Sequence, residues 1–250
     1  MNEQQIFDLT NGLFMQGDLK VQAGDLAAAK NAYQRAKGLA SKISMGNNAG
    51  YAIACDKLGD LARFSDDFPN AHEEYNQALP IFRKLATVHA EHRRDVSLCL
   101  SKIGELALAK DDIPAAQIAL NEHYEIAELI ANSDPSNCEH QRDLAGAHGR
   151  LQQLAMATGT PEEALGHAES AHAIVVKLAA IDPSNAGLVQ DLAGSQCMFA
   201  SLLMQTGNLK RAISMLKDGI RILRDLDQLG KLDAKGKRLK AQLDQFGLML

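Results

Sequence analysis

A short turn motif that ends in alanine recurs five times along the chain, and this recurrence restricts the fold more than any other feature of the sequence. The five copies read AGDLAAA, SDDFPNA, KDDIPAA, TGTPEEA and TGNLKRA. Their spacings are 42, 45, 48 and 48 residues, measured between the closing residues Ala29, Ala71, Ala116, Ala164 and Ala212. A repeat of this length indicates stacked structural units, each of which buries its apolar surface against its neighbours.

Each motif has the chemistry of a turn between two helices. A residue that tolerates a left-handed backbone occupies the end of the first helix in every copy: Gly24, Asp66, Asp111, Gly159 and Gly207. Glycine adopts this conformation without steric cost, and aspartate is among the few side chains that tolerate it. In three copies a proline follows two or three positions later: Pro69, Pro114 and Pro161. Proline is well accepted in the first turn of a helix, so a second helix is predicted to begin there.

A second turn signature, DPSN followed by DLAG, occurs at 134–146 and again at 182–194. The two copies are 48 residues apart, as expected for one repeat. Proline keeps the residue before it out of the helical region, so a helix ends at Asp134 and at Asp182. The helices that follow are then capped by one of two candidate residues at each site: Ser136 or Asn137, and Ser184 or Asn185.

Composition is consistent with helix throughout and argues against several classes of function. Hydrophobic residues make up 46% of the chain, tryptophan is absent, and no run of ~18 apolar residues predicts a membrane span. The first residues do not resemble a signal peptide, and the four cysteines are scattered, which is typical of reduced, mostly buried thiols in a cytoplasmic protein. A net charge of −5 argues against nucleic acid as a partner.

The spacing of small and aromatic residues around each turn resembles the tetratricopeptide repeat (TPR). In the first unit the matching residues are Gly17, Gly24, Ala29, Tyr33 and Ala36; in the second they are Gly59, Asp66, Ala71, Tyr75 and Ala78. The resemblance covers roughly residues 4–228. The period exceeds the usual ~34 residues, which is similar to the extended repeats of kinesin light chains and many bacterial TPR proteins.

The resemblance implies an all-α fold, a right-handed α-solenoid of about five antiparallel helix pairs with a C-terminal capping helix. We expect a single domain over residues 1–250. The predicted repeats are about 4–45, 46–90, 91–137, 138–185 and 186–229, and the predicted cap is about 231–247. In the cap, one helical face is apolar: Leu232, Leu239, Leu243 and Phe246.

No catalytic, metal or cofactor site is predicted. The chain contains none of the nucleophile, phosphate-loop, dinucleotide or zincin motifs. His89 and His92 in VHAEHRR could meet a metal ion, but no third ligand accompanies them. Cys138 and His140 lie two residues apart in a turn, without any motif for an oxyanion hole.

By resemblance to TPR proteins, a set of positions on the first helix of each pair faces a concave groove. These candidate partner-binding residues are Phe14, Asp18, Asp56, Asp60, Arg63, Ser101, Glu105, Gln153, Met156, Cys197, Ser201 and Met204. The set is acidic at one end and carries methionine at the other, which favours adaptable apolar contacts there. The alternative is that these residues form an ordinary solvated helix face.

The predicted function is a non-catalytic scaffold or adaptor that binds a basic or amphipathic peptide or helix of another protein. Asp56 and Asp60 would repel the acidic tails that TPR co-chaperones bind. Two alternatives stay open: a regulatory or sensing subunit of a bacterial NTPase, protease or signalling system, and a self-assembling structural protein. Residues 209–250 carry a net charge of +5 and the rest of the chain −10, which also fits a weak homo-oligomer.

Overall fold

A computed structural model of the protein describes residues 2–43 and 48–247, with side chains described up to residue 244. Within these residues the regular structure is helical and contains no strand, which confirms the predicted all-α class. The chain divides into two compact units, residues 1–126 and 127–250, and the division falls inside one helix.

Unit 1 contains five helices and the start of a sixth. They are α1 (Glu3–Gln22), α2 (Leu26–Ala40), α3 (Ala49–Phe64), α4 (Phe68–Ala86), α5 (His92–Ala109) and α6 (Ile113–Ser133), of which α6 continues into unit 2. The remaining helices of unit 2 are α7 (Cys138–Ala157), α8 (Pro161–Ile181), α9 (Ala186–Gln205), α10 (Leu209–Gln228) and α11 (Ala234–Gly247). The helices pack chiefly as successive pairs, α1 with α2, α3 with α4, α7 with α8 and α9 with α10.

The turns inside the pairs have the predicted left-handed residue. Its φ is 77° at Gly24, 57° at Asp66, 59° at Asp111, 75° at Gly159 and 82° at Gly207. At each turn the following amide closes the end of the helix; for example, the Asp67 N–H donates to the Ala62 carbonyl at 2.8 Å. In unit 1 an aspartate after the turn then caps the second helix: Asp25, Asp67 and Asp112. Local turn chemistry therefore fixes the start and end of each helix pair.

The two DPSN turns have the same hydrogen bonds. Asp134 accepts from the backbone N–H and the hydroxyl of Ser136, and Asp182 accepts the same two bonds from Ser184. Of the two candidate caps at each site, the structure selects the asparagine. Asn137 accepts from two backbone N–H groups of α7, and Asn185 accepts from two of α9.

Close packing within unit 1 depends on glycines that face large side chains. A Cβ added at Gly59 on α3 would lie 2.5 Å from Cε1 of Tyr75 on α4, and the Tyr33 ring lies against Gly17 in the same way. Tyr33 and Tyr75 belong to two hydrophobic clusters, in which alanines alternate with larger apolar side chains. These small residues let the helices of a pair approach closely.

A hydrophobic cluster in the described part of unit 2 extends from α7 to α11. Leu232 and Leu243 are buried in it, and Leu239 packs against it; the side chain of Phe246 lies outside the described residues. Gln190 on α9 donates to Asp233 at 2.7 Å, at the start of α11. The predicted C-terminal helix therefore covers the end of the α9–α10 pair.

The cysteines follow the prediction that most of them are buried. Cys55, Cys99 and Cys197 are buried, Cys138 is partly buried, and all four are free thiols. Burial raises the pKa of the Cys55 and Cys99 thiols to about 12. A thiol with such a pKa carries very little reactive thiolate at neutral pH.

Candidate partner-binding face

Most of the predicted site residues in unit 1 lie on a face formed by α1, α3 and α5. This α1–α3–α5 face is defined here by Asp18, Asp56, Asp60, Arg63, Ser101 and Glu105. All six side chains are at least partly exposed. Phe14 was predicted to contribute apolar contact, but it is only 8% exposed and packs in the α1–α2–α3 core. Its ring therefore packs beneath the face and is not accessible to a partner.

Asp18 on α1 is held by two neighbouring helices. The Tyr33 hydroxyl of α2 donates to Asp18 Oδ1 at 2.6 Å, and the Lys57 ammonium of α3 donates to the same oxygen at 2.7 Å. Burial alone would raise the pKa of Asp18, but these two bonds outweigh it and the pKa is lowered. Asp18 is thus a fixed anion, and within the described chain its Oδ2 makes no hydrogen bond.

Asp56 and Asp60 of α3 share one lysine from α5. The Lys102 ammonium donates to Asp56 Oδ1 at 2.7 Å, to Asp56 Oδ2 at 2.8 Å and to Asp60 Oδ2 at 2.9 Å. The Tyr75 hydroxyl of α4 donates to the other oxygen of Asp60 at 2.7 Å. The arrangement at Asp60 repeats the arrangement at Asp18, with one tyrosine and one lysine on each carboxylate.

The pKa values of this second cluster reflect its burial and its charges. Burial raises the pKa of Asp56, although Lys102 opposes the change. Burial alone would lower the pKa of Lys102, but the two carboxylates outweigh it and the pKa is raised. Burial and the Asp60 charge raise the pKa of Tyr75. Lys102 is therefore charged and Tyr75 is a neutral hydrogen-bond donor at physiological pH.

A third contact continues the row of charges. Arg63 of α3 donates to Glu105 of α5 at 3.3 Å. The lysine ammonium groups also lie over tyrosine rings, Lys57 at 5.4 Å from the Tyr33 centroid and Lys102 at 5.4 Å from the Tyr75 centroid. The face is therefore a row of acids paired with bases, whereas the sequence analysis expected this end of the groove to be acidic.

The lysines and tyrosines of this row were missed by sequence reasoning, although a signal was present. Lys57 and Lys102 each directly follow a predicted groove position, and Tyr33 and Tyr75 each lie 15 residues after an aspartate of the face. A long lysine side chain reaches across to the preceding helix even when its Cα lies beside the face. The offset of 15 places tyrosine and aspartate side by side across the turn.

The helices α1 and α3 of this face also carry exposed apolar side chains. Phe7 and Val21 on α1 and Phe64 at the end of α3 are exposed large hydrophobic residues. Val21 is three residues from Asp18 and Phe64 is four residues from Asp60, so each lies within about one helical turn of an acid of the face. The face thus combines fixed charges with apolar surface.

The predicted site residues of unit 2 lie in different environments. Gln153 on α7 is exposed and accepts from Arg150 at 3.3 Å, and Met156 is partly buried against the core. Ser201 and Met204 on α9 are exposed. Cys197 is 7% exposed and lies against Gly219 of α10, so its thiol fills the core instead of facing a groove.

Three of the four residues considered for metal or nucleophilic chemistry have local contacts, whereas Nδ1 of His140 is buried and makes no hydrogen bond within the described residues. His92 Nδ1 lies 2.8 Å from Asp95, and His89 Nδ1 lies 3.8 Å from Glu91. Cys138 Sγ lies 4.0 Å from the Ser136 carbonyl oxygen. Within residues 2–43 and 48–244, no group of three or more His, Cys, Asp or Glu side chains is placed to hold a metal ion. Among the described helices, none is long and apolar enough to cross a bilayer.

Comparison with known proteins identifies the class of fold. The tetratricopeptide repeat family model matches residues 11–84, which span the later part of α1, all of α2 and α3, and α4 up to Lys84. BtubC (BKLC) from P. vanneervenii has a TM-score of 0.70 at 16% identity, with 90% of this chain and 84% of that chain covered. The nearly identical TPR-like repeats of a Podosopora anserina putative kinesin light chain give a TM-score of 0.59 at 18% identity, covering 85% of this chain and 93% of that chain.

A third structural relative is a Rap protein complexed with competence and sporulation factor, with a TM-score of 0.66 at 16% identity. The match covers 86% of this chain and 54% of the Rap chain, so the protein spans about half the length of that relative. No curated protein sequence matches the chain. The chain therefore has the fold of TPR-like α-solenoid proteins, as predicted. At these identities the likeness establishes the fold alone.

Proposed function

We propose that the protein is a non-catalytic interaction scaffold that binds a peptide or a helix of a partner protein on the α1–α3–α5 face. The observation that carries this proposal is the repeated Tyr–Asp–Lys arrangement, Tyr33–Asp18–Lys57 and Tyr75–Asp60–Lys102. Partly exposed ion pairs contribute little to stability, usually about 0–1 kcal/mol. The network around Asp18 is of this kind. Its repetition at Asp60 on the same surface therefore favours the placement of charge for recognition, beyond what the ion pairs add to stability.

The geometry favours a partner segment with basic and apolar side chains. Asp18 and Asp60 retain 47% and 41% exposure of their side chains, and their positions are fixed by tyrosine and lysine. A carboxylate that is already fixed loses little conformational freedom when it binds a cation. Val21 and Phe64, each within about one helical turn of an acid of the face, supply apolar contact. In unit 2, Gln153, Met156, Ser201 and Met204 remain predicted partner-binding residues.

The structural relatives support this assignment by example. One Rap relative was solved with competence and sporulation factor, and a second, a conjugation gene regulator, was solved with the Phr* peptide. The same fold therefore accommodates peptide ligands. A regulatory role would use the same face, and it would be distinguished by an effect of the bound peptide on a second protein's activity.

The proposal is tested by selecting peptides from a displayed library of random dodecapeptides on the purified protein. Affinities of the selected peptides are then measured by fluorescence anisotropy for wild type and for the D18N/D60N variant. The D8N/E125Q variant is a matched control, because it loses the same charge at exposed positions outside the face.

We expect the selected peptides to be enriched in Lys and Arg, and to lose at least tenfold in affinity for D18N/D60N. The control variant should bind within twofold of wild type. Far-UV circular dichroism shows whether each variant is folded. Equal affinity for D18N/D60N and wild type, or a library that yields no binding peptide, would overturn the proposal.

A further inference from the structure

A second surface of unit 1, separate from the α1–α3–α5 face, combines an apolar floor with two arginines. It is an open depression of about 300 Å³ between α4, α5 and α6. Its lining residues are Arg83, Ala86, Thr87, Arg93, Val96 and Ile126. None of them is acidic. Arg93 is the first arginine of the HRR segment at 92–94. A metal site at His89 and His92 would give this arginine no function.

The two arginines have hydrogen-bond donors left for a ligand. Arg83 donates through Nη2 to Glu122 of α6 at 2.7 Å and is about half exposed. A guanidinium has five N–H donors, so one such bond leaves the others available. Arg93 is exposed, and in the described part of the chain its side chain makes no ion pair.

The start of α5 lies beside the depression, and the N–H groups of His92 and Arg93 there donate to the His89 and Ala90 carbonyls. Arg93 lies in the first turn of α5, and α5 begins without a side-chain hydrogen bond at its N-cap. The start of a helix carries a partial positive charge that favours anions. Lys84 and Arg94 add cationic charge on the same helices, so that four bases face three acids, Glu91, Asp95 and the Glu122 that pairs with Arg83. The depression is thus a cationic site in a part of the sequence that is otherwise acidic.

We propose that this depression binds an acidic peptide segment in which an aliphatic side chain lies next to Asp or Glu. The carboxylate pairs with the guanidinium groups, whose planar donors match its two oxygens. The aliphatic side chain rests on Ala86, Val96 and Ile126. The volume is at the lower limit for ligand sites, which suits one side chain of a peptide better than a large ligand.

The test uses a fluorescein-labelled, amidated octapeptide with Leu-Glu-Glu-Leu at its centre. Two matched peptides replace both Glu by Gln or both Leu by Gly. Anisotropy is measured for wild type, for R93Q and for K84Q, which removes a nearby charge that does not line the depression. A86L fills the apolar floor of the depression without changing its charge. D18N/D60N tests whether the peptide binds to the α1–α3–α5 face instead.

We expect wild type to bind the Leu-Glu-Glu-Leu peptide at least fivefold more tightly than either altered peptide. R93Q and A86L should each lose at least fivefold, whereas K84Q and D18N/D60N stay within twofold. Equal losses for R93Q and K84Q would indicate diffuse attraction and overturn the site. No measurable binding, or full displacement of the peptide by equimolar decanoate, would overturn the peptide assignment. R93Q changes an exposed residue, so the test stands even if A86L fails to fold.

Discussion

The ammonium of Lys102 on α5 lies 2.7 Å from a carboxylate oxygen of Asp56 on α3. The two residues are 46 positions apart in sequence, so this ion pair joins successive helix pairs of unit 1. Both side chains are about four-fifths buried, and burial of one charge without the other is costly. The contact therefore stabilises the unit while it fixes the position of the acids on the candidate face.

Replacing Lys102 by Met should destabilise the protein by about 2 kcal/mol, below the usual range for a fully buried pair because the site is partly exposed. The variant leaves Asp56 and Asp60 side by side without a cation. Urea unfolding followed by circular dichroism measures the loss, and K110M, at an exposed position after α5, is the control. Adding D56N to K102M should recover part of the stability. If it does not, lost packing and not charge explains the effect.

Replacing Gly59 by Ala should cost about 1–3 kcal/mol, because the new Cβ would lie 2.5 Å from the Tyr75 ring in a closely packed core. Gly12 on α1 has no atom within 4 Å of an added Cβ. G12A should therefore stabilise the helix by about 0.5–1 kcal/mol through helix propensity. The midpoint of thermal unfolding, measured for G59A and for G12A, tests both expectations. Similar shifts for the two variants would show that the ring contact does not limit packing.

The stability of unit 2 should fall as the pH drops below about 6.5. Nδ1 of His148 on α7 lies 3.1 Å from Nδ1 of His167 on α8. Burial lowers the pKa of both imidazoles, and the His167 charge lowers that of His148 further, although Glu128 and Glu163 oppose the change. A lowered pKa in the folded state means that the unfolded chain binds protons first. This contribution to stability is therefore complete above about pH 6.5, declines as the pH falls from there towards the folded pKa, and levels off below it.

Urea midpoints at about pH 7.5 and about pH 5.5, on either side of the ordinary histidine pKa, measure this effect. H148Q/H167Q should lose less stability than wild type between the two pH values. H72Q, at an exposed histidine of α4, should behave as wild type does. His172 on α8 also has a pKa lowered by burial and by Arg211, so some pH dependence should remain. An unchanged slope for the double variant would refute the assignment.

Replacing Asn137 by Ala should cost about 1 kcal/mol, because its side chain accepts from the N–H groups of Glu139 and His140 at the start of α7. N132A, at an exposed position near the end of α6, should change stability by less than about 0.5 kcal/mol. Urea unfolding compares the two. A Ser substitution at Asn137 should restore most of the loss, since serine also caps helices.

The turns were predictable because their conformations depend on neighbouring residues alone. The left-handed conformation of Asp66 could be predicted because Asp66 lies three residues before Pro69 and because glycine occupies the matching position in other repeats. The DPSN caps were narrowed to two residues, and only coordinates could choose between serine and asparagine. The fold class followed from the same local signals, repeated five times.

The candidate site was less predictable because it depends on contacts between repeats. One step along a helix turns a side chain by about 100°, and a pattern of a few residues does not fix that angle. Phe14 and Cys197 are consequently in the core, whereas they were expected in the groove. The pairing of Lys57 with Asp18 and of Lys102 with Asp56 joins different repeats, so no single motif contains it.

The bond from Tyr33 to Asp18 gives this chain a built-in optical signal. The protein has four tyrosines and no tryptophan, so tyrosine dominates its near-ultraviolet absorption and emission. The spectrum of a phenol depends on the acceptor that its hydroxyl faces. A ligand that draws Asp18 or Asp60 away from Tyr33 or Tyr75 would thus be visible in the unlabelled protein, at the residues that hold the charges in place.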